Sequence, residues 1–221
     1  MRIVITGSIG TGKSTVSKAL HGFMPGYELV SADDLVHNLY AYNVRFQTDL
    51  LTRFGTAARK EISDIVFAQP QRRVELETLS WAYLVQEVEA TFAKENVIFE
   101  FPLYFEFPHW LGRADAVVVV GCDEATQFAR VAARDGISKE KFDNIIKAQL
   151  PLAEKVKQAN IYLDTTGSLE SVKATIADMP ELLSVFDKSQ RQHDGTKGLV
   201  FAAWAHPGRP GESQRSNGLR P

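Results

Sequence analysis

Residues 2–6 read Arg-Ile-Val-Ile-Thr, and the glycine-rich run behind them constrains this chain more than any other segment. Gly7, Ser8, Ile9, Gly10, Thr11, Gly12, Lys13 and Ser14 fit G-x-x-x-x-G-K-S/T, and Thr15 follows. The context is that of a phosphate cradle: a short β-branched strand before the loop and a helix-compatible stretch from Ser14 to Leu20 after it. Glycines let successive backbone N–H groups turn inward on phosphate oxygens, and the following helix adds its free donors and the positive end of its dipole. Lys13 has the reach for the β- and γ-phosphates, and the Ser14 hydroxyl suits Mg²⁺. The chain therefore has to start as strand, loop, helix, with a nucleotide phosphate at the junction.

Four more apolar runs read as strands: Glu28 to Ser31, Asn96 to Phe101, Ala116 to Val120 and Asn160 to Asp164. The run Ala-Val-Val-Val-Val is continuously apolar, as a central parallel strand covered on both faces must be. Helical periodicity separates the runs, which predicts an α/β fold with a five-stranded parallel sheet. In such sheets ligands sit beyond the carboxyl ends of the strands. That rule brings residues 7–14, Asp33, residues 100–102 and the segment after Cys122 to one rim. Residues 42–94 hold no strand pattern and read as a helical insertion. Residues 124–158 read as a charged helical lid on the phosphate rim.

At 221 residues the chain suits one α/β domain, here residues 1–186, and 44% hydrophobic residues can supply its core. A formal net charge of −2 gives no basic field for nucleic acid. No apolar run is long enough to span a bilayer, and no signal-peptide pattern is visible. Cys122 is the only cysteine and reads as a small buried residue. The expectation is a cytoplasmic protein without a membrane partner, a monomer or weak homo-oligomer. Residues 187–221 carry six Lys or Arg against three acids and many Gly and Pro towards the end, which predicts a mobile tail.

The loop itself names a ligand and not a reaction, so the surrounding residues must discriminate. Asp33, just past the second strand, can accept a proton from an attacking hydroxyl. It also suits a helix N-cap, together with Ser31 and Asp34. Glu100 is an acid in an apolar strand, costly unless it is paired or serves a metal; beside the cradle it can hold a metal-bound water. Arg130 and Arg134 are four residues apart and share a helix face. Fixed guanidinium groups there can stabilise the charge of a transferring phosphoryl group. Surface pairing with Asp123, Glu124 or Asp135 is the alternative.

Taken together and in order, the motifs resemble the dephospho-coenzyme A kinase family. Thr6 to Thr15 is close to that family's TGGIGSGKST. Ala32-Asp33 with His37 resembles DAD-x-x-A-H/R, Phe67-Ala68-Gln69-Pro70 resembles F-x-D/N-P, and Glu100-Phe101-Pro102-Leu103-Tyr104-Phe105-Glu106 resembles D/E-x-P-L-L-F-E. Gln127, Arg130, Arg134 and Asp135 match Q-x-x-R-x-x-x-R-D/N, and Ala148-Gln149 and Glu154-Lys155 follow at the family's spacing. The resemblance spans about residues 1–180. It implies a P-loop kinase in coenzyme A biosynthesis with ATP and Mg²⁺, a helical acceptor-binding insertion and a lid. By the same resemblance Asp33 is the base, and His37, Pro102 and Leu103 line the acceptor. Three departures matter: Ser31 replaces the first Asp of DAD, Leu79-Ser80-Trp81 stands for Leu-His-Pro, and Tyr104 replaces a Leu. These leave two other readings open. One is a nucleoside or (deoxy)nucleoside monophosphate kinase, with Trp81 stacking on a base. The other is a non-catalytic ATP-binding module.

Overall fold

The computed structural model describes residues 1–187; the rest of the expected tail lies outside the described residues. Strands β1 (Arg2–Thr6), β2 (Glu28–Ser31), β3 (Val97–Glu100), β4 (Ala116–Gly121) and β5 (Ile161–Asp164) form one sheet. Every pair is parallel and the order is β2-β3-β1-β4-β5. The chain steps outward from β1 to β2, returns to β3 and then crosses β1 to reach β4. The order thus reverses around β1, and the crevice of such a sheet opens beyond the carboxyl end of that strand. The glycine loop begins there.

Period-two alternation explains both layers. Ile3 and Ile5 of β1, Ile98 of β3 and Val118 and Val120 of β4 face one core, closed by α1 (Lys13–Phe23) and α9 (Leu169–Ser184). Val4, Phe99, Val117 and Val119 face the other, which is aromatic: Phe92, Phe101, Tyr104, Phe105 and Trp110. The 24 residues of α5 (Pro70–Ala93) and the short α8 (Leu152–Lys157) cover that side.

Between β2 and β3 the chain makes α2 (Ala32–Tyr42), α3 (Val44–Phe54), α4 (Arg59–Ala68) and α5. They bury their own core of Leu39, Phe46, Leu50, Phe54, Ile62, Leu79 and Leu84. Local chemistry sets the breaks. Gly55, at φ 76°, ends α3. Pro70 opens α5 and forces Gln69 out of the helical region, which ends α4. Helices α6 (Glu124–Asp135) and α7 (Lys139–Lys147) follow β4; Asp123 caps the first and Gly136 terminates it. Among the described residues no helix is long and apolar enough to cross a membrane.

Candidate active site

The loop after β1 can be built only with glycine at its turns. Gly7, Gly10 and Gly12 have φ of 147°, 75° and 84°. A Cβ on Gly7 would stand 2.2 Å from the Val120 carbonyl oxygen, and one on Gly10 would stand 2.5 Å from Val131 Cγ2. The loop is thus packed against β4 and α6 while its amides stay in the turn. Thr11 Oγ1 donates to the Ser8 carbonyl at 2.9 Å and braces it from inside.

Lys13 opens α1 and is 9% exposed. Its Nζ donates to the Ser8 carbonyl oxygen at 2.8 Å. Burial pulls its pKa from 10.5 down to about 8; Glu100 and Asp33 oppose that shift, while Lys155 and Arg134 add to it. Five charged groups from separate stretches of sequence therefore act on one rim. Ser14, one residue on, is exposed, and its hydroxyl donates to Glu100 Oε1 at 2.7 Å. Glu100 ends β3 at 5% exposure, and its second oxygen accepts from Ser17 Oγ at 3.0 Å. The strand acid is paired, as its burial demands, by two hydroxyls of α1.

Asp33 lies in the first turn of α2 and is exposed. It is not the cap: the Ser31 hydroxyl accepts from the Asp34 amide at 3.4 Å. Ser31, the departure in the DAD pattern, thus does the capping. Among the described residues no hydrogen bond or ion pair engages the Asp33 carboxylate. His37 is exposed one turn further along the same face. At the end of β3, Pro102 offers its carbonyl to Thr6 Oγ1 at 3.0 Å, and Leu103 is exposed.

The two arginines of α6 differ. Arg130 Nη1 donates to Thr165 Oγ1 at 3.0 Å and Nη2 to the Thr165 carbonyl at 2.6 Å, beside Gly12. Thr165 in turn donates to the Thr11 carbonyl at 2.8 Å. Arg134 forms a two-pronged pair with its neighbour Asp135 at 2.7 and 2.8 Å, and its side chain is 63% exposed. Its pKa is raised mainly by that pair, with a further contribution from Asp33. The inner face of α6 is also fixed: Gln127 Nε2 donates to the Ile9 carbonyl, while the Ile9 amide donates to Gln149 Oε1 at 3.3 Å.

Three participants escape a reading of the sequence. Ser17 stands one turn beyond Ser14 on α1, and that spacing was the available signal. Thr165 follows β5 directly, so the rule of carboxyl ends pointed to it. Lys155 stands in the Glu154-Lys155 match to the family, but its full burial and its pair with Glu106 Oε1 at 3.0 Å have no local signal. Trp81 is not displayed for a base: it packs at 4.2 Å on Phe107 and 5.5 Å on Trp110, between the aromatic core and the core of the inserted helices. Tyr104 fills the same cluster, its hydroxyl accepting from the Gly112 amide at 3.2 Å. Cys122 is buried, which pushes its thiol pKa up and disfavours a thiolate.

A glycine loop on the central strand of a 2-3-1-4-5 parallel sheet, with a buried lysine at the helix start, defines a P-loop kinase fold. Shikimate kinase from Bacteroides thetaiotaomicron shares that fold, with a TM-score of 0.51 at 14% identity over 83% of this chain and 98% of that one. The dephospho-CoA kinase (CoaE) family model matches residues 1–171, and the chain belongs to that family. The dephospho-CoA kinase of Symbiobacterium thermophilum is 35% identical over 80% of this chain and 79% of its own. That of Rhizobium etli is 34% identical over 81% and 92%. The crystal structure of TT1252 from Thermus thermophilus superposes with a TM-score of 0.62 at 33% identity, over 81% of this chain and 96% of that one.

Proposed function

We propose that this chain transfers the γ-phosphate of ATP to the ribose 3′-hydroxyl of dephospho-CoA. The observation that carries the reading is the exposed, unengaged carboxylate of Asp33, close enough to the P-loop to act on the charge of Lys13. A nucleotide-binding module has no need of a carboxylate there; a transferase does. The acceptor oxygen attacks the γ-phosphorus and gives its proton to Asp33, while the bond to the ADP oxygen breaks. Lys13 and Arg130 neutralise the oxygens that gain charge, and Arg134 joins them from the exposed edge of α6. His37, Pro102 and Leu103 border the acceptor.

The donor set suits Mg²⁺. Among the described residues no three His, Cys, Asp or Glu stand together as a cage. Ser14 offers one hydroxyl and Glu100 one carboxylate, leaving the remaining ligands to phosphate and water, as this ion prefers. Bound there, it neutralises phosphate charge. Glu100, held by Ser14 and Ser17, would hold the ion directly or through one of its waters. Residues 124–158 act as the lid, whose helices α6 and α7 pack on each other through Phe128 and Phe142 and whose inner side is joined to the P-loop by Gln127 and Gln149, so that they border the nucleotide and exclude water.

Asp33→Asn tests the reading. Turnover of MgATP and dephospho-CoA, followed by mass spectrometry of the product, should fall by 10²-fold or more. ATP affinity should stay within about twofold. Unchanged turnover would refute the role of Asp33.

A further inference from the structure

The face of α2 that carries Asp33 continues into the inserted helices. Asp33, His37 and Tyr40 stand at i, i+4 and i+7, one side of the helix. Tyr40 is two turns from Asp33, about 10 Å along the axis. Phe46 meets its ring edge-on at 5.0 Å, and Ser80 of α5 lies near its hydroxyl. Over that ring lies the guanidinium of Arg59, the first residue of α4, with Cζ 5.4 Å from the centroid. Arg59 is exposed. Among the described residues no carboxylate pairs with it and no hydrogen bond engages it. The other arginines of the insertion that are drawn onto a partner are neutralised there: Arg72 and Arg53 face Glu75, and Arg73 faces Glu77.

From this we infer that Arg59, seated on Tyr40, is the anion-recognition residue of the acceptor site and reads the 5′-diphosphate of the incoming nucleotide. The inference rests on the proposed acceptor and adds to it a specificity-determining contact. Stacking on an aromatic face holds a guanidinium in one plane while leaving its N–H groups outward, which lowers the ordering cost of grasping phosphate. A planar fork of donors matches two phosphate oxygens at once. The direction is right as well. A ribose whose 3′-hydroxyl faces Asp33 directs its 5′ substituent away from that carboxylate, and the exposed face of α2 leads to Arg59. His37 stands between them, beside the sugar. Ser80, where relatives' pattern has His, supports Tyr40 from beneath, so this departure falls on the platform and not on the anion contact.

Steady-state kinetics with dephospho-CoA and MgATP varied in turn, on wild type, Arg59→Ala and Arg59→Lys, decides the matter. For Arg59→Ala the expected result is a KM for dephospho-CoA raised tenfold or more. The KM for ATP, kcat and the thermal midpoint should each be nearly unchanged. Arg59→Lys keeps the charge without the fork and should recover only part of the loss. An unchanged KM for dephospho-CoA in Arg59→Ala overturns the inference while leaving the proposed function standing. So does a rise shared equally by the KM for ATP or accompanied by a drop in thermal midpoint, since both mark a merely structural residue. Wild type that fails to turn over dephospho-CoA removes the functional reading, and this inference with it.

Discussion

Raising the pH should strip the P-loop of its cation well before an ordinary lysine titrates. In the nucleotide-free protein Lys13 is buried against the Ser8 carbonyl, and desolvation brings its pKa from 10.5 to about 8. The gap corresponds to about 3 kcal/mol of preference for the neutral amine. The unfolded chain keeps this proton up to about pH 10.5, so it binds more protons than the folded chain between about 8 and 10.5. Through Lys13, folding stability of the free protein therefore rises with pH across that window. A bound triphosphate reverses the preference by supplying the anion that burial withheld. At pH 8.5 about a quarter of the free molecules carry the charge, so full charging on binding takes up about 0.7–0.8 of a proton. At pH 7 the uptake falls to about a tenth of a proton. Affinity should weaken as pH rises above about 8, since protonation is then a cost of binding. Titration calorimetry of MgATP at pH 8.5, in buffers of different ionisation enthalpy, counts the protons directly. Lys13→Met should abolish the uptake. No proton uptake at pH 8.5 in wild type, or the same uptake in Lys13→Met, refutes the reasoning.

Two further outcomes follow from packing. Gly10→Ala should lose about 2–4 kcal/mol in denaturant unfolding, because its Cβ meets Val131 and the Gln127 carbonyl at a φ of 75°; Gly26→Ala, with open space around it, should change little, and equal effects would contradict the account. Lys155→Met should cost about 2–4 kcal/mol by the same measurement, since it leaves the half-buried Glu106 carboxylate with only the Leu150 amide on Oε1 and an Oε2 that already lacks a partner. Lys155→Met with Glu106→Gln should recover part of that loss.

Much of the fold is legible because its signals are local. The run from Ala116 reads as a doubly covered strand, and its side chains do alternate between two cores. The loop 7–14 reads as a cradle because three glycines are spaced for it. Asp33 and Glu100 read as rim acids because parallel sheets put strand ends together. What escaped the sequence is set by pairs far apart in the chain. Glu100 meets Ser17 across 83 positions, Thr165 meets Thr11 across 154, and Gln127 meets Ile9 across 118. Arg130 and Arg134 share spacing and helix face, and the only local difference is Asp135, adjacent to Arg134. One is drawn inward because Thr165 offers it a hydroxyl and a carbonyl, and the other turns to the acid beside it. Trp81 looked available for a base because its local pattern omits Phe107 and Trp110.

These contrasts divide the site into two halves with different physics. The phosphate half is held in place by the chain's own contacts: Thr11, Ser17 and Thr165 are buried, Lys13 is held by a carbonyl, and Glu100 is held by two hydroxyls. Preorganised donors of this kind cost little reorganisation when charge develops. The proposed acceptor half is a row of exposed side chains, Asp33, His37 and Arg59, on helices that share a separate core. Substitutions in that row stand on the exposed face, away from the seam where Leu35, Trp81 and the Val88 and Phe92 end of α5 join the inserted helices to the aromatic core. Ser31 keeps a cap, and Trp81 and Tyr104 keep core contacts, while the glycine loop keeps Gly7, Gly10, Gly12 and Lys13. The geometry that tolerates least, backbone at positive φ packed against β4 and α6, is also where the sequence speaks most plainly.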